Sequence, residues 1–157
     1  MPENAVVFQD KRMRKYINGI LYRSKDPQKK NDYVVAVSAK VYDNIMDHFN
    51  KETGPKGSWK KWSKSYSEFM TRIGQGGNKK LQGINGRLRQ SFQPQNVKET
   101  SDGLMWYNPA KVKGFPYAKA HDEGGPRLPQ RKFMFLSRKG MKMIEDITLK
   151  FVKGWKQ

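Results

Sequence analysis

The sequence predicts an α+β domain, with an antiparallel β-sheet packed with two or three helices and a long basic loop between the second helix and the sheet. Three observations carry this. Apolar residues recur at spacings of three and four over residues 33–51 and again over 138–155, which is the helical period. Two short runs between them, 92–99 and 103–108, flank Ser101-Asp102-Gly103, a hairpin turn signal. The order helix, helix, loop, strands, helix groups the strands instead of alternating them with helices, as an α+β fold does.

Residues 8–23 carry Phe8, Met13, Tyr16, Ile17, Ile20 and Leu21 in an approximate helical stripe, and Asp26-Pro27 ends it because the residue before proline avoids the helical region. Residues 1–32 thus read as a helical extension of a single domain spanning 1–157. The second helix, 33–51, buries Val34, Val37, Val41, Ile45, Met46 and Phe49 and leaves Lys40, Asp43, Asn44 and Asp47 between them. Asp32 or Asn31 is its expected N-cap, and Gly54-Pro55 stops it.

Residues 54–80 form the long basic loop, with Trp59, Trp62, Tyr66 and Phe69 as its apolar content and a short helix over roughly 63–73. Residues 80–92 read as one or two helical turns running into a strand. His121-Asp122-Glu123 is placed on a strand end, and 131–136 is expected to be a strand with Phe133 and Phe135 on one face and Met134 and Leu136 on the other. The last helix, 138–155, has Met141, Ile144, Ile147, Phe151 and Trp155 on one face and Ser137 as N-cap. Glu145 and Asp146 in its first half and Lys150, Lys153 and Lys156 near its end suit the helix dipole.

A chain of 157 residues that is 36% hydrophobic and 12% aromatic can close one core of modest size, and its aromatic content argues against disorder. It has no cysteine, which removes disulfides and thiolate metal sites. No apolar run reaches bilayer length, and Met1 to Asp10 lacks the pattern of a secretory leader, so no membrane partner is expected.

The net charge is +18, which calls for a polyanion nearby. Residues 54–92 hold 9 basic and 1 acidic residue and residues 111–139 hold 8 and 2, whereas 34–53 and 93–110 are each close to neutral. Lys56, Lys60, Lys61, Lys64, Arg72, Lys79, Lys80, Arg87 and Arg89 surround Trp59, Trp62 and Tyr66, a mixture of cations and aromatic rings that can grip nucleic acid. The plainer reading is a solvated basic loop with its tryptophans tucked into the core; between the two lies a loop anchored by Trp59 and Trp62 with some lysines lining a channel for DNA. No helix-turn-helix, finger or RNA-recognition signature points to sequence-specific binding.

Catalytic patterns are missing. There is no His-Glu-x-x-His, no Gly-x-Ser-x-Gly and no Gly-Lys-Ser/Thr after the glycines at 74–77. His121 with Asp122 and Glu123 is the most enzyme-like cluster, but consecutive residues point in different directions, so a packing or contact role is expected for His121. Acids are too scarce for a metal-dependent nuclease. Neither an enzyme nor a cofactor is expected. Arg131 has the planar fork suited to pairing with a carboxylate.

Four stretches together resemble the virion-morphogenesis, or tail-completion, family of tailed bacteriophages. The first is a helix end and turn, Phe49, Glu52, Pro55, Gly57 and Trp59, followed by Trp62-Ser63. The second is Leu81 with Gly86-Arg87-Leu88-Arg89-Gln90-Ser91-Phe92. The third is the box Pro116-Tyr117-Ala118-Lys119-Ala120-His121-Asp122-Glu123-Gly124, and the fourth is Pro129-Gln130-Arg131-Lys132-Phe133 running to Ser137. Lys132 stands where that family commonly has proline, and Asp122-Glu123 where it has an aromatic or aliphatic residue.

The resemblance implies a structural subunit without catalysis. It would form a homo-oligomeric ring, a hexamer, at the head–tail interface of the virion, assembled in the host cytoplasm, with genomic DNA passing through. Its partners would be neighbouring neck, head-completion and tail-tube or terminator proteins. Tyr117, His121, Arg131, Phe133 and Phe135 are the expected subunit-interface residues, and the nine basic residues from Lys56 to Arg89 the expected DNA-facing set. A free-standing, non-specific nucleic-acid-binding protein is the alternative.

Overall fold

The computed structural model describes residues 6–7, 17–22, 24–82, 85–100, 103–111 and 113–155. The fold is α+β. Its elements are β1 (Val6–Val7), α1 (17–22), α2 (Pro27–Lys51), β2 (Thr53–Gly54), β3 (Gly57–Ser58), α3 (Lys64–Arg72), α4 (Arg87–Gln90), β4 (Val97–Thr100), β5 (Gly103–Asn108), α5 (Tyr117–Glu123) and α6 (Arg138–Trp155). One sheet has the order β1-β5-β4, and β2 and β3 form a separate antiparallel pair. Of the helix expected over 8–23, residues 8–16 and 23 lie outside the described residues; 17–22 is helical, with Ile17, Ile20 and Leu21 buried.

The chain divides into two compact units. A sheet unit contains Val7–Ile45, Gln93–Tyr107 and Met134–Gln157, and a cleft unit contains Met1–Val6, Met46–Phe92 and Asn108–Phe133. Helix α2 contributes residues to both.

In the sheet unit, α2 starts earlier than its apolar stripe. Asp26 Oδ1 accepts the amides of Gln28 (2.9 Å) and Lys29 (3.3 Å). Asp26 is therefore the N-cap and Pro27 takes the first helical position, where a missing N–H costs nothing. Asn31 and Asp32 lie inside the helix, and Asp32 Oδ1 accepts Gln28 Nε2 at 2.7 Å.

Val37, Val41 and Ile45 are fully buried, as is Tyr33, whose hydroxyl meets Thr148 Oγ1 of α6 at 2.9 Å while Phe151 packs edge-on against its ring. Trp106 of β5 is buried with its indole N–H donated to Ser38 Oγ of α2 at 3.0 Å. Strands β4 and β5 pair antiparallel from Val97↔Trp106 to Thr100↔Gly103, and residues 101 and 102 of the expected turn lie outside the described residues. The strand begins at Val97 and not at 92, because the Asn96 amide closes onto Gln93 O at 2.9 Å, a turn with Pro94 at its second position.

Helix α6 matches the predicted 138–155. Ser137 caps it by accepting the Gly140 amide at 3.0 Å and donates its own hydroxyl to Asn44 Oδ1 at 2.7 Å. Asn44, one of the polar residues between the apolar positions, is buried; its Oδ1 also accepts the Ser137 amide (3.1 Å), and its Nδ2 donates to Phe135 O (2.7 Å). A single amide side chain thus satisfies the backbone where the chain turns into the last helix.

In the cleft unit the long basic loop is largely structured. It holds the β2–β3 hairpin with register Thr53↔Ser58 and Gly54↔Gly57, and α3, capped by Ser63 Oγ accepting the Tyr66 amide at 3.3 Å. Two strand expectations fail here. Residues 116–123 turn helical, with the Ala120 amide on Pro116 O (3.0 Å) and the Gly124 amide on Ala120 O (2.9 Å). Residues 131–136 form no strand, because the Phe133 amide takes a side-chain acceptor, Asp122 Oδ1 at 2.8 Å, instead of a ladder carbonyl. Consecutive Phe133 and Met134 are both buried, which breaks the two-residue alternation.

Two helical glycines should respond oppositely to alanine. A Cβ on Gly140 would lie 2.3 Å from Asn44 Oδ1, whereas one on Gly154 meets nothing within 4 Å. Gly140→Ala is expected to lower stability by about 2–3 kcal/mol through loss of the Asn44–Ser137 clamp. Gly154→Ala should be neutral or stabilising by up to about 0.5 kcal/mol. Thermal denaturation followed by circular dichroism checks both, and equal destabilisation would refute the clamp.

Candidate functional site: a cationic cleft built on Arg131

Three segments meet in the cleft unit: the turn after the hairpin (59–63) and, far along the chain, helix α5 and the irregular segment 127–133 that follows it. Trp59 is buried, edge-on to Phe49 at 5.8 Å, and its indole N–H donates to Lys132 O at 3.0 Å. Phe133 is fully buried and packs on the same Phe49 ring at 5.0 Å. Asp122, buried in α5, holds the Phe133 amide, and its backbone carbonyl accepts Gln130 Nε2 at 3.1 Å. Gly124 ends α5 with φ +75, and a Cβ there would come within 2.8 Å of Gln130 N, so the returning chain can lie this close only against glycine.

Arg131 ties these pieces together. Its amide donates to His121 O at 2.8 Å, its Nε to Lys60 O at 3.1 Å and its Nη2 to Lys61 O at 3.2 Å. The residue is only 4% exposed, and among the described residues no carboxylate pairs with it. It lines a cleft of about 380 Å³ together with Trp62, Ser63, Tyr66, Lys80, Tyr117, His121, Arg127, Leu128 and Pro129.

The walls are fixed by their own contacts. Trp62 donates its indole N–H to Lys80 O at 3.1 Å and stands edge-on to Tyr66 at 5.3 Å. Tyr117 and His121, four apart on α5, stack edge-on at 4.6 Å. Glu52, held at φ +54, accepts both the amide and the ammonium of Lys80 (Nζ 2.9 Å). Desolvation pushes the Glu52 carboxyl up, but the Lys80 hydrogen bonds and charge outweigh it and leave the pKa lowered.

Burial governs the titration of the cleft. It lowers His121 to about 4, with the Arg131 cation adding to the effect, so the ring is neutral at pH 7. Its Nδ1 is buried and has no hydrogen-bond partner among the described residues. Burial also raises the Tyr117 hydroxyl, helped by neighbouring Tyr66 and opposed by Arg131, so the phenol stays a donor. Burial lowers the Arg131 guanidinium, opposed by Tyr117, Tyr66 and Glu52.

Of the expected interface residues, Tyr117, His121 and Arg131 converge here. Phe133 lies beneath them with no exposed surface to offer a second subunit, and Phe135 belongs to the sheet unit, half-buried with its carbonyl taken by Asn44. Of the nine expected DNA-facing cations, Lys80 lines the cleft but is ion-paired, and Lys79 donates to Asn50 O near the C-terminal end of α2. Lys56, Lys60, Lys61, Lys64, Arg72, Arg87 and Arg89 are exposed, with Arg72 over the Phe69 ring at 5.8 Å.

Arg127 and Leu128 were not singled out from sequence, and Pro129 only as the start of a box; they follow Gly124-Gly125, whose turn, closed by the pairing of Gly125 with Leu128, could have marked them. His121, Asp122 and Glu123 diverge: one lines the cleft, one is buried on Phe133 and one is exposed. Among the described residues no group of His, Cys, Asp or Glu is placed to hold a metal, and no helix is long and apolar enough to cross a membrane. No family model, curated protein or solved structure matches the chain.

The histidine gives a pH signature. Its folded pKa is about 4 against 6.5 in the unfolded chain, so between those values the unfolded state binds more protons and stability falls as the pH is lowered. His121→Phe keeps an aromatic ring on Tyr117 and removes the titration. The variant should lose less stability than the wild type between pH 6.5 and 4, by on the order of 1 kcal/mol after allowance for solvent screening. Urea unfolding at several pH values measures the difference, and parallel curves would disprove the buried, neutral ring.

Proposed function

We propose that this chain is a structural subunit of a tailed-phage virion, a tail-completion protein that assembles with its own copies into a ring at the head–tail interface. The observation that carries the reading is the convergence on Arg131. The Pro55–Trp62 turn, the Pro116–Gly124 box and the Pro129–Phe133 box supply the resemblance, and they are the segments that pack together around its guanidinium.

An exposed apolar stripe in the same unit supports assembly. Tyr66, Phe69 and Ile73, one face of α3 and its end, are 40%, 38% and 40% exposed. A ring needs two different complementary patches on each subunit, and an apolar stripe of this kind serves as one of them. Copies arranged around one lumen would multiply a charge of +18 into a strongly positive tunnel suited to DNA.

The second reading is a free-standing, non-specific nucleic-acid-binding protein, favoured by the exposed Lys60, Lys61 and Lys64. Against it, Trp59 is buried and Trp62 is half-buried with its indole N–H engaged, so the ring platform for base stacking is mostly spent on packing.

Native mass spectrometry of the chain, alone and with neck or tail proteins, is expected to give one closed oligomer, a hexamer. Phe69→Asp should abolish it without lowering the melting temperature, since Phe69 is already partly exposed. A chain that stays monomeric under every condition would reverse the assignment if it also binds DNA with a steep salt dependence that falls by about 2–3 when Lys60, Lys61 and Lys64 are neutralised.

A further inference from the structure

We infer that the cleft over Arg131 is a carboxylate-binding pocket that seats an aspartate or glutamate side chain from a docked protein segment. Such a pocket goes beyond ring assembly and does not depend on it.

The guanidinium presents five N–H donors, and the protein engages one on Nε and one on Nη2. Nη1 makes no hydrogen bond among the described residues. A cation that is 4% exposed and bonded only to neutral carbonyls is incompletely compensated, and burying it is costly unless an anion completes it. Glu52, the one carboxylate whose charge is felt at Arg131 among the described residues, is itself paired with Lys80 at 2.9 Å. Among the described residues no carboxylate lines the cleft, whereas exposed Arg127 adds a second cation to its wall.

The other lining groups suit a side-chain carboxylate in particular. The Tyr66 and Tyr117 rings, with Leu128 and Pro129, offer apolar surface to a methylene stem. The Tyr117 hydroxyl remains protonated and can donate. His121 lines the same cleft, and its buried Nδ1 has no hydrogen-bond partner among the described residues. A planar fork with an open edge matches the two oxygens of a carboxylate. A nucleic-acid phosphodiester is flanked by sugars on both sides, so the exposed lysines outside the cleft meet it more readily than a recessed guanidinium does.

The test uses the full chain and three probes: N-acetyl-glutamate N-methylamide, its glutamine counterpart and inorganic phosphate. Nitrogen-edited NMR follows Arg131 Nε–H and the His121 ring. The glutamate probe should give a saturable shift at both, the glutamine probe none, and phosphate only small, non-saturating shifts at surface lysines. Arg127→Gln and Tyr117→Phe leave the Arg131 bonds to Lys60 and Lys61 in place, and each should weaken the glutamate probe by about 3- to 10-fold, the value of one lost hydrogen bond or charge contact. Equal responses to the glutamate and glutamine probes, or no response to either, would overturn the proposal. Saturable binding of phosphate in preference to glutamate would do the same and reassign the cleft to a polyanion backbone.

Discussion

The cleft unit depends on one buried cation. Two neighbouring carbonyls, Lys60 O and Lys61 O, face inward and need donors, and Arg131 supplies both from a single rigid group while its own amide holds His121 O. Hydrogen bonds from a charged donor contribute about 1.5–3 kcal/mol each, so this residue fixes the basic turn and α5 to the same point. Lysine could not replace it, since an ammonium has no fork to span two carbonyls in a fixed plane. The positive charge that draws attention to residues 60 and 61 is thus carried on a backbone held from beneath by another positive charge, with the lysine side chains directed to solvent.

A related device recurs at three further places where the chain leaves regular structure. Asp122 takes the Phe133 amide, Asn44 takes Phe135 O and the Ser137 amide, and buried Asn108 takes Leu88 O while accepting from Ser91 Oγ and the Ala110 amide. In each case a side chain of the Asx type replaces the ladder or helix partner that an irregular segment lacks, so the buried backbone stays satisfied without forming a strand. Each of these residues has little or no solvent exposure. Changing any one of them would strand at least one backbone group as well as remove a contact.

This explains where the sequence was readable and where it was not. Helices α3 and α6 were legible because period and caps agree: Ser63 and Ser137 sit where an N-cap belongs, and the apolar spacing begins just after them. The start of α2 was misread because Pro27 signals both the end of one helix and the first position of the next, and the apolar stripe begins only at Tyr33. The segment 131–136 has strand composition, but whether an extended run finds a ladder depends on which acceptor reaches Phe133 N, and Asp122 lies eleven residues away in a helix. At the site, the residue types His121, Tyr117 and Arg131 stood out in local motifs, whereas their convergence with Tyr66 and Arg127 is a tertiary fact that no spacing encodes.

Charge has two separate uses in this chain, and separating them decides how its basic character should be understood. Lys79, Lys80 and Arg131 are engaged internally, on a helix-end carbonyl, on Glu52 and on the turn carbonyls, and so act as structural donors. Lys56, Lys60, Lys61, Lys64, Arg72, Arg87 and Arg89 remain on the surface, solvated and subject to screening by salt. Exposed cations such as these are the ones open to a polyanion such as DNA, and as a diffuse field they would act without sequence preference. The first group holds the scaffold that displays the second and leaves a recessed guanidinium whose unfilled edge is chemically distinct from the outer field. A bulk polyanion meets the outer cations first, whereas a single carboxylate in an aromatic-walled cleft meets Arg131. The same excess of positive charge would therefore serve two recognition modes differing in depth, dielectric surroundings and dependence on salt.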